Sequence, residues 1–255
     1  MGISMLFGLV GGLGLFLYGM QRMAEGLQQA AGDRMRKILE MFTSHPAVAV
    51  VTGAVATVLV QSSSTTTVMI VGFVNAGLMT LKQAVGTIMG ANIGTTITAQ
   101  VVSFNIYELA LPAIGAGFLL QMLAKRRFLR YIGLSILGFG ILLLGLQVMS
   151  QSLYPLRSFQ PFLDTLVRLG RYPLLGIVMG ALFTIAVQSS SATTGLVIAF
   201  TLQDMLTLPA GLAIILGANL GTCVTAQLAA IGAGLSARRA AMAHILFNSI
   251  GVVIF

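Results

Sequence analysis

The chain has 255 residues, 57% hydrophobic and 8% charged, with a formal net charge of +8 and a mean hydropathy of +0.97. A soluble domain carries roughly 25% charge, so a water-soluble globule is excluded, and the basic excess reads as membrane orientation rather than nucleic-acid binding. One cysteine, Cys223, leaves no internal disulfide.

Residues 3–21 hold no charge and reach across a bilayer as a helix of about 1.5 Å rise per residue. No basic residue precedes them, Arg22 being the first, and they are too long for a signal-peptide core, so a retained span is predicted. Its glycines Gly8, Gly11, Gly12, Gly14 and Gly19 read as helix-packing positions. Met35, Ile38, Leu39 and Phe42 then fall at helical spacing and predict a short helix in the membrane interface. The block Ala47–Thr80, with Gln61-Ser62-Ser63-Ser64-Thr65-Thr66-Thr67 at its centre, is too short for two full crossings. A re-entrant hairpin of two half-helices with its tip at Gln61–Thr65 fits, and one long tilted crossing is the alternative. Next comes Gly90–Gln100, GANIGTTITAQ, where Gly94 permits a break within the span. A closing span leads to the basic cluster Lys125-Arg126-Arg127.

The same order then recurs. Gln188-Ser189-Ser190-Ser191-Ala192-Thr193-Thr194 and GANLGTCVTAQ (Gly217–Gln227) both lie 127 residues after their counterparts. Two motifs at one offset mark a duplication, with unit one at 1–127 and unit two at 128–255. Gly14, Gly19, Gln21 and Met23 return at Gly140, Gly145, Gln147 and Met149, the offset slipped to 126, and Phe159, Phe162, Leu163 and Leu166 form the second amphipathic stretch. If the motif blocks are re-entrant, the second unit is inverted. Arg22, Arg34, Arg36, Lys37, Lys82, Lys125, Arg126, Arg127, Arg130, Arg238 and Arg239 then share one side against Arg157, Arg168 and Arg171, a split of 11 to 3. Full crossings would give 9 to 5, so the positive-inside rule favours inverted repeats with the N-terminus outside. The predicted fold is an all-α polytopic membrane protein of two inverted repeats, each with a re-entrant hairpin and a broken transmembrane helix.

Four uncharged polar clusters in apolar segments must face protein, water or ligand, because an unsatisfied polar group in hydrocarbon costs several kcal/mol. Helix packing accounts for a lone Ser or Thr, but not for adjacent polar residues pointing all around a helix. A break at Gln61/Ser62 offers backbone N–H groups that bind anions, and Ser63, Ser64 and Thr65 add hydroxyls. The preceding half-helix ends in unpaired carbonyls that, with the Gln61 and Asn92 oxygens, suit a hard cation such as Na⁺. None of the six acidic residues and no Lys or Arg lies inside a cluster, and His45 and His244 read as an interfacial and a packed histidine, so Na⁺ coupling is preferred over a proton relay. No nucleophile–base pair, metal cluster or phosphate loop is visible, so enzyme chemistry has no candidate residues.

Duplicated QSSS motifs, each followed by G-A-N-[IL]-G-T, resemble the type II sodium–phosphate cotransporter family in its bacterial branch. The resemblance covers essentially the whole chain. It implies Na⁺-driven uptake of inorganic phosphate by alternating access, in a multi-pass cell-membrane protein of the bacterial inner membrane, with Gln61, Ser62, Ser63, Ser64, Gln188, Ser189, Ser190 and Ser191 forming the sites. With the physical argument added, the phosphate set is Ser62–Thr65, Ser189–Ser191 and Thr193. The sodium set is Gln61, Asn92, Thr95, Gln188, Asn219 and Thr222. Many bacterial members continue into a soluble helical domain, whereas this chain stops in an apolar stretch at Phe255, as a truncated or minimal member would. Ala192 and Cys223 replace Thr65 and Thr96, so the half-sites are chemically unequal. Competing readings are a Na⁺-coupled carrier of another oxyanion or a dicarboxylate, a channel, and a non-transporting phosphate sensor. Hairpin-tip sites suggest, by analogy, an elevator-like motion and a homodimer.

Overall fold

A computed structural model describes residues 2–32, 45–104 and 106–255. All regular elements among them are helical: α1 (Gly2–Ala31), α2 (Pro46–Val60), α3 (Ser63–Asn75), α4 (Leu81–Ser103), α5 (Ala110–Leu123), α6 (Arg127–Leu153), α7 (Gln160–Arg171), α8 (Pro173–Val187), α9 (Ser190–Thr201), α10 (Leu208–Ala229) and α11 (Leu235–Ile254), with short 3₁₀ turns at Tyr107–Leu109 and Tyr154–Ser158. Local chemistry sets these boundaries. Pro46 and Pro173 occupy first turns, where a missing N–H costs nothing. Thr80 and Gln83 form a reciprocal capping box before α4. The first amphipathic stretch, Met35 to Phe42, lies outside the described residues. The second forms α7, which buries Leu166, packs Phe162 and Leu163 on the core and bends by 108° into α8.

The long helices α1 and α6 build the central seam. Gly12 meets Met149 and Gly145, Gly19 meets Leu142 and Gly138, and Gly26 meets Ser135. As one number rises the other falls, so these equivalent helices run antiparallel. The contacts are self-complementary, since shifting by 126 residues maps the Gly12–Gly145 pair onto Gly138–Gly19. Phe16, Leu142, Leu143, Leu146 and Met149 fill the core around the seam.

Flanking this pair, each QSSS block folds as two short helices against its GAN helix. Gly86 packs on Ala49, Gly90 on Val50 and Ala54, and Gly94 on Ala54 and Thr57, so α2 and α4 run parallel. Gly176 on Ala213 and Gly221 on Ala181 and Thr184 give the same parallel pairing for α8 and α10. The chain must return from the end of α2 to the start of α4, and the 13 residues of α3, about 20 Å of helix, make that return. A hairpin, rather than one tilted crossing, follows from this register. Ile70, Val71, Ile88, Ala226, Ala240 and Ala241 form a second core in which α3 and α4 meet α10 and α11.

One expectation is corrected. The bent helix pairs bend elsewhere in the chain, and no break falls at the GAN glycines: α4 and α10 continue through Gly94 and Gly221. A Cβ there would lie 2.5 Å from the Ala54 carbonyl oxygen or 2.6 Å from that of Ala181, so the glycines admit a neighbouring backbone rather than a kink. Among the described residues, α1, α6 and α10 are each long and apolar enough to cross a membrane alone.

Candidate functional site: two hairpin tips

Both tips break in the same way. Gln61 and Gln188 close α2 and α8 in the left-handed region, each at φ 57°. A non-glycine residue there costs roughly 1–2 kcal/mol, and such strain gathers at functional positions. Each glutamine turns its Nε2 back onto the helix it ends, Gln61 to the Val58 carbonyl and Gln188 to that of Ile185. Gln28 Nε2 donates to the Val60 carbonyl at 3.3 Å. These carbonyls, expected to be unpaired, are thus engaged by amide side chains.

After each glutamine, a serine starts the return helix. Ser62 Oγ accepts from the Thr65 N–H at 3.2 Å and Ser189 Oγ from that of Ala192 at 3.2 Å. Replacing such a cap by alanine costs about 1 kcal/mol, so Ser62→Ala and Ser189→Ala are each expected to lower the midpoint of a thermal melt in detergent without abolishing folding. A threonine pair staples each joint. Thr57 Oγ1 donates to Thr66 Oγ1 at 3.1 Å, and the Thr184 and Thr193 hydroxyls lie 2.6 Å apart. Thr193, expected among the phosphate ligands, is 2% exposed with its hydroxyl also directed to the Ser189 carbonyl, so its place is in the staple.

The first tip opens on a cavity of about 680 Å³, lined by Gln61, Ser62 and Thr65 and, from α1, by Gln21, Arg22 and Gln28. Arg22 pairs with Glu25 at 2.8 Å, lies over the Tyr18 ring and keeps a buried Nε with no hydrogen-bond partner among the described residues. Sequence reasoning missed Arg22 because it belongs to no motif, although it is the first charge after the opening span. A second basic cavity joins it to Arg127 and Arg130.

The second tip reaches the first unit's GAN helix. Ser191 and Thr194 share a cavity of about 20 Å³ with Thr95, Thr98, Phe16 and Met20, room for one water-sized occupant. Thr98 links the tips, since its Oγ1 also donates to Gln61 Oε1. Its recurrence as Thr225 in the repeated block was the available signal. The two sites are unequal, because Thr225 instead donates to the Thr222 carbonyl. Ser63 is buried and Ser64 and Ser190 are half-buried at the starts of α3 and α9. Asn92 points to α11, Asn219 is exposed, and Thr222 is buried with its hydroxyl on the Ala218 carbonyl; none of these three lines the two tip cavities.

Residues 15–151 and 158–255 match the model of the Na⁺/Pi-cotransporter family. The chain is 32% identical over 239 residues to protein YqeW of Bacillus subtilis, covering 94% of this chain and 78% of YqeW. It is 29% identical over 249 residues to YjbB of Escherichia coli (strain K12), whose name proposes inorganic phosphate export, and there it spans 98% of this chain but only 46% of the relative. It is also 38% identical over 104 residues, 40% of this chain and 15% of the relative, to the human sodium-dependent phosphate transport protein 2B. No solved structure matches.

Proposed function

Because the chain belongs to the Na⁺/Pi-cotransporter family, a family of transporters and not of enzymes, we propose that this multi-pass membrane protein carries inorganic phosphate coupled to Na⁺, in symport by alternating access. The observation that carries the reading is the pair of broken hairpins, alike in dihedral angle, serine cap and threonine staple, whose tips Thr98 joins. With the caps occupied by Thr65 and Ala192, the N–H groups of Ser63, Ser64, Ser190 and Ser191 are the donors offered to an anion, backed by their hydroxyls and those of Ser62, Thr65 and Ser189. Sodium, carried as substrate, takes the neutral oxygens of Gln61, Asn92 and Thr95 and, in the second unit, Gln188, Asn219 and Thr222. Thr98 joins Thr95 and Ser191 around the 20 Å³ cavity as a further oxygen ligand.

In this reading the units 1–127 and 128–255 are inverted repeats and the N-terminus faces outside, supported by the antiparallel α1–α6 seam and by Arg22, Arg127 and Arg130 gathering at one end of it. The occupied state is reached from either side as the hairpins move against the seam.

Arg22 gathers phosphate at the first tip. Being partly exposed and paired with Glu25, it contributes modestly. Arg22→Gln is expected to raise the half-saturating phosphate concentration by about 3–5-fold, a loss of ~1 kcal/mol, with maximal rate retained, as measured by initial-rate uptake.

Coupling is tested at equilibrium. Na⁺ is expected to tighten phosphate binding to the purified protein in calorimetric titration, and phosphate to tighten Na⁺ binding by the same factor. Phosphate binding indifferent to Na⁺ would sink the symport reading, and tighter binding of sulfate or succinate would move the substrate to another oxyanion or a dicarboxylate. The name of the E. coli relative favours a second reading, outward phosphate movement, which phosphate-loaded vesicles with Na⁺ only inside test by efflux.

A further inference from the structure

We propose that Asn248 is a positioning residue for Asn92, holding that amide so that its oxygen is preset for a cation and making the first unit's GAN motif the tighter sodium site. The inference rests on the Na⁺-coupled reading above. Asn248 lies on α11 and is 6% exposed. Its Nδ2 donates to the His244 carbonyl oxygen at 2.9 Å and to Cys223 Sγ at 3.3 Å. A carbonyl only accepts, so the opposite amide orientation would set Asn248 Oδ1 against it. With Nδ2 committed there, Oδ1 faces Asn92 and takes its Nδ2 proton at 2.9 Å. Asn92 therefore turns its own Oδ1 away from α11. That orientation is anchored on main chain and on a buried thiol, since His244 is 0% and Cys223 2% exposed.

Among the described residues, the second unit lacks this relay. The 127-residue offset carries Asn92 to Asn219 and Asn248 back to Gln121. Asn219 is exposed, and Gln121 lines the basic cavity beside Arg22, Arg127 and Arg130 instead. Cys223, the relay's sulfur, itself stands where the first unit has Thr96. A cation at Asn92 thus meets a fixed carbonyl oxygen, whereas one at Asn219 must first order a free side chain. Groups that orient a metal ligand from behind commonly change affinity by about 10–100-fold when removed.

The test is the Na⁺ dependence of ³²P-phosphate uptake by the full chain in proteoliposomes, for wild type, Asn248→Ala, Asn248→Ser, Asn92→Ala, the double variant Asn92→Ala/Asn248→Ala, and Gln121→Ala. Asn248→Ala is expected to raise the half-saturating Na⁺ concentration about tenfold, with the maximal rate and the phosphate half-saturation at high Na⁺ unchanged. Asn248→Ser can still donate to the His244 carbonyl one turn back and keeps a hydroxyl oxygen on the Asn92 side, so its Na⁺ half-saturation should lie closer to wild type than that of Asn248→Ala. The double variant should be no worse than Asn92→Ala alone, because Asn248 acts through Asn92, and Gln121→Ala should leave Na⁺ half-saturation unchanged.

An unchanged Na⁺ half-saturation in Asn248→Ala overturns the inference, as do additive effects in the double variant. If Asn248→Ala does not give monodisperse protein, Asn248→Ser decides: a Na⁺ half-saturation as poor as that of Asn92→Ala overturns the inference, and one near wild type supports it. A wild type indifferent to Na⁺ overturns the functional reading and this inference with it. A Na⁺-dependent wild type with a silent Asn248→Ala overturns the inference alone.

Discussion

Ser191→Leu is expected to fold, insert and lose Na⁺-driven phosphate transport to background. Its side chain lines the cavity of about 20 Å³ between the second tip and Thr95 and Thr98 of the first unit. Leucine replaces a hydroxyl in that space by three carbon atoms, a net gain of two heavy atoms, at an overpacking cost of about 1–3 kcal/mol that a neighbouring hairpin takes up by moving. The displacement falls on the joint between units, where Thr98 also holds Gln61. Ser64→Leu, half-buried in the first turn of α3, is the companion for the other tip. Uptake measured on matched amounts of monodisperse protein checks both, and normal transport by the two variants would remove the QSSS tips from the site.

Gly19→Leu is expected to remove the fold itself. A Cβ at Gly19 would sit 2.3 Å from the Leu142 nitrogen and 2.6 Å from the Gly138 carbonyl oxygen, both backbone atoms of α6. No rotamer change relieves such a contact, so the helices must separate and loosen Leu142, Leu143 and Leu146 in the core. The expected loss exceeds the ~1–3 kcal/mol typical of overpacking against side chains, and it should appear as failure to recover monodisperse protein or as a steep fall in thermal midpoint. Gly11→Leu is the control, because a Cβ there has nothing within 4 Å.

The contrast between Gly11 and Gly19 shows where the sequence was legible. Both read as packing glycines, and only the register of α6 distinguishes them. The hairpins were readable because their cause is local: Gln61 and Gln188 end a helix, Ser62 and Ser189 cap the next, and the block length admits a return but not two crossings. The amphipathic α7 was readable for the same reason. Gly94 reads from sequence as permitting a break because glycine marks both weak helix and close approach, and only the Ala54 carbonyl beside it, like the Ala181 carbonyl beside Gly221, decides which. Thr193 was assigned to ligand although its hydroxyl belongs to the staple with Thr184, a pairing that needs the return of the chain. The polar partners of the candidate site residues lie far apart in sequence: Thr98 from Gln61 by 37 residues, and Asn248 from Asn92 by 156. Arg22 enters through the packing of α1 beside the first tip, which no motif spacing encodes.

The unequal halves also bear on coupling. Gln61 is tied to Thr98, and Asn92 to Asn248, whereas Thr225 turns to its own helix and Asn219 is exposed. On the proposed reading, one sodium site is ordered before substrate arrives and the other is ordered with it. Paying the ordering entropy once is the physical basis of positive coupling between ion and anion.

The central claim, that the paired tips carry phosphate together with Na⁺, is tested most directly by ³²P-phosphate uptake into proteoliposomes with an inward Na⁺ gradient, against the same vesicles with K⁺ in place of Na⁺. Accumulation above the external concentration with Na⁺, collapsing when a sodium ionophore dissipates the gradient and absent with K⁺, is the predicted result. Phosphate uptake that is equal in Na⁺ and K⁺, or no uptake with Na⁺ on either side, would contradict it.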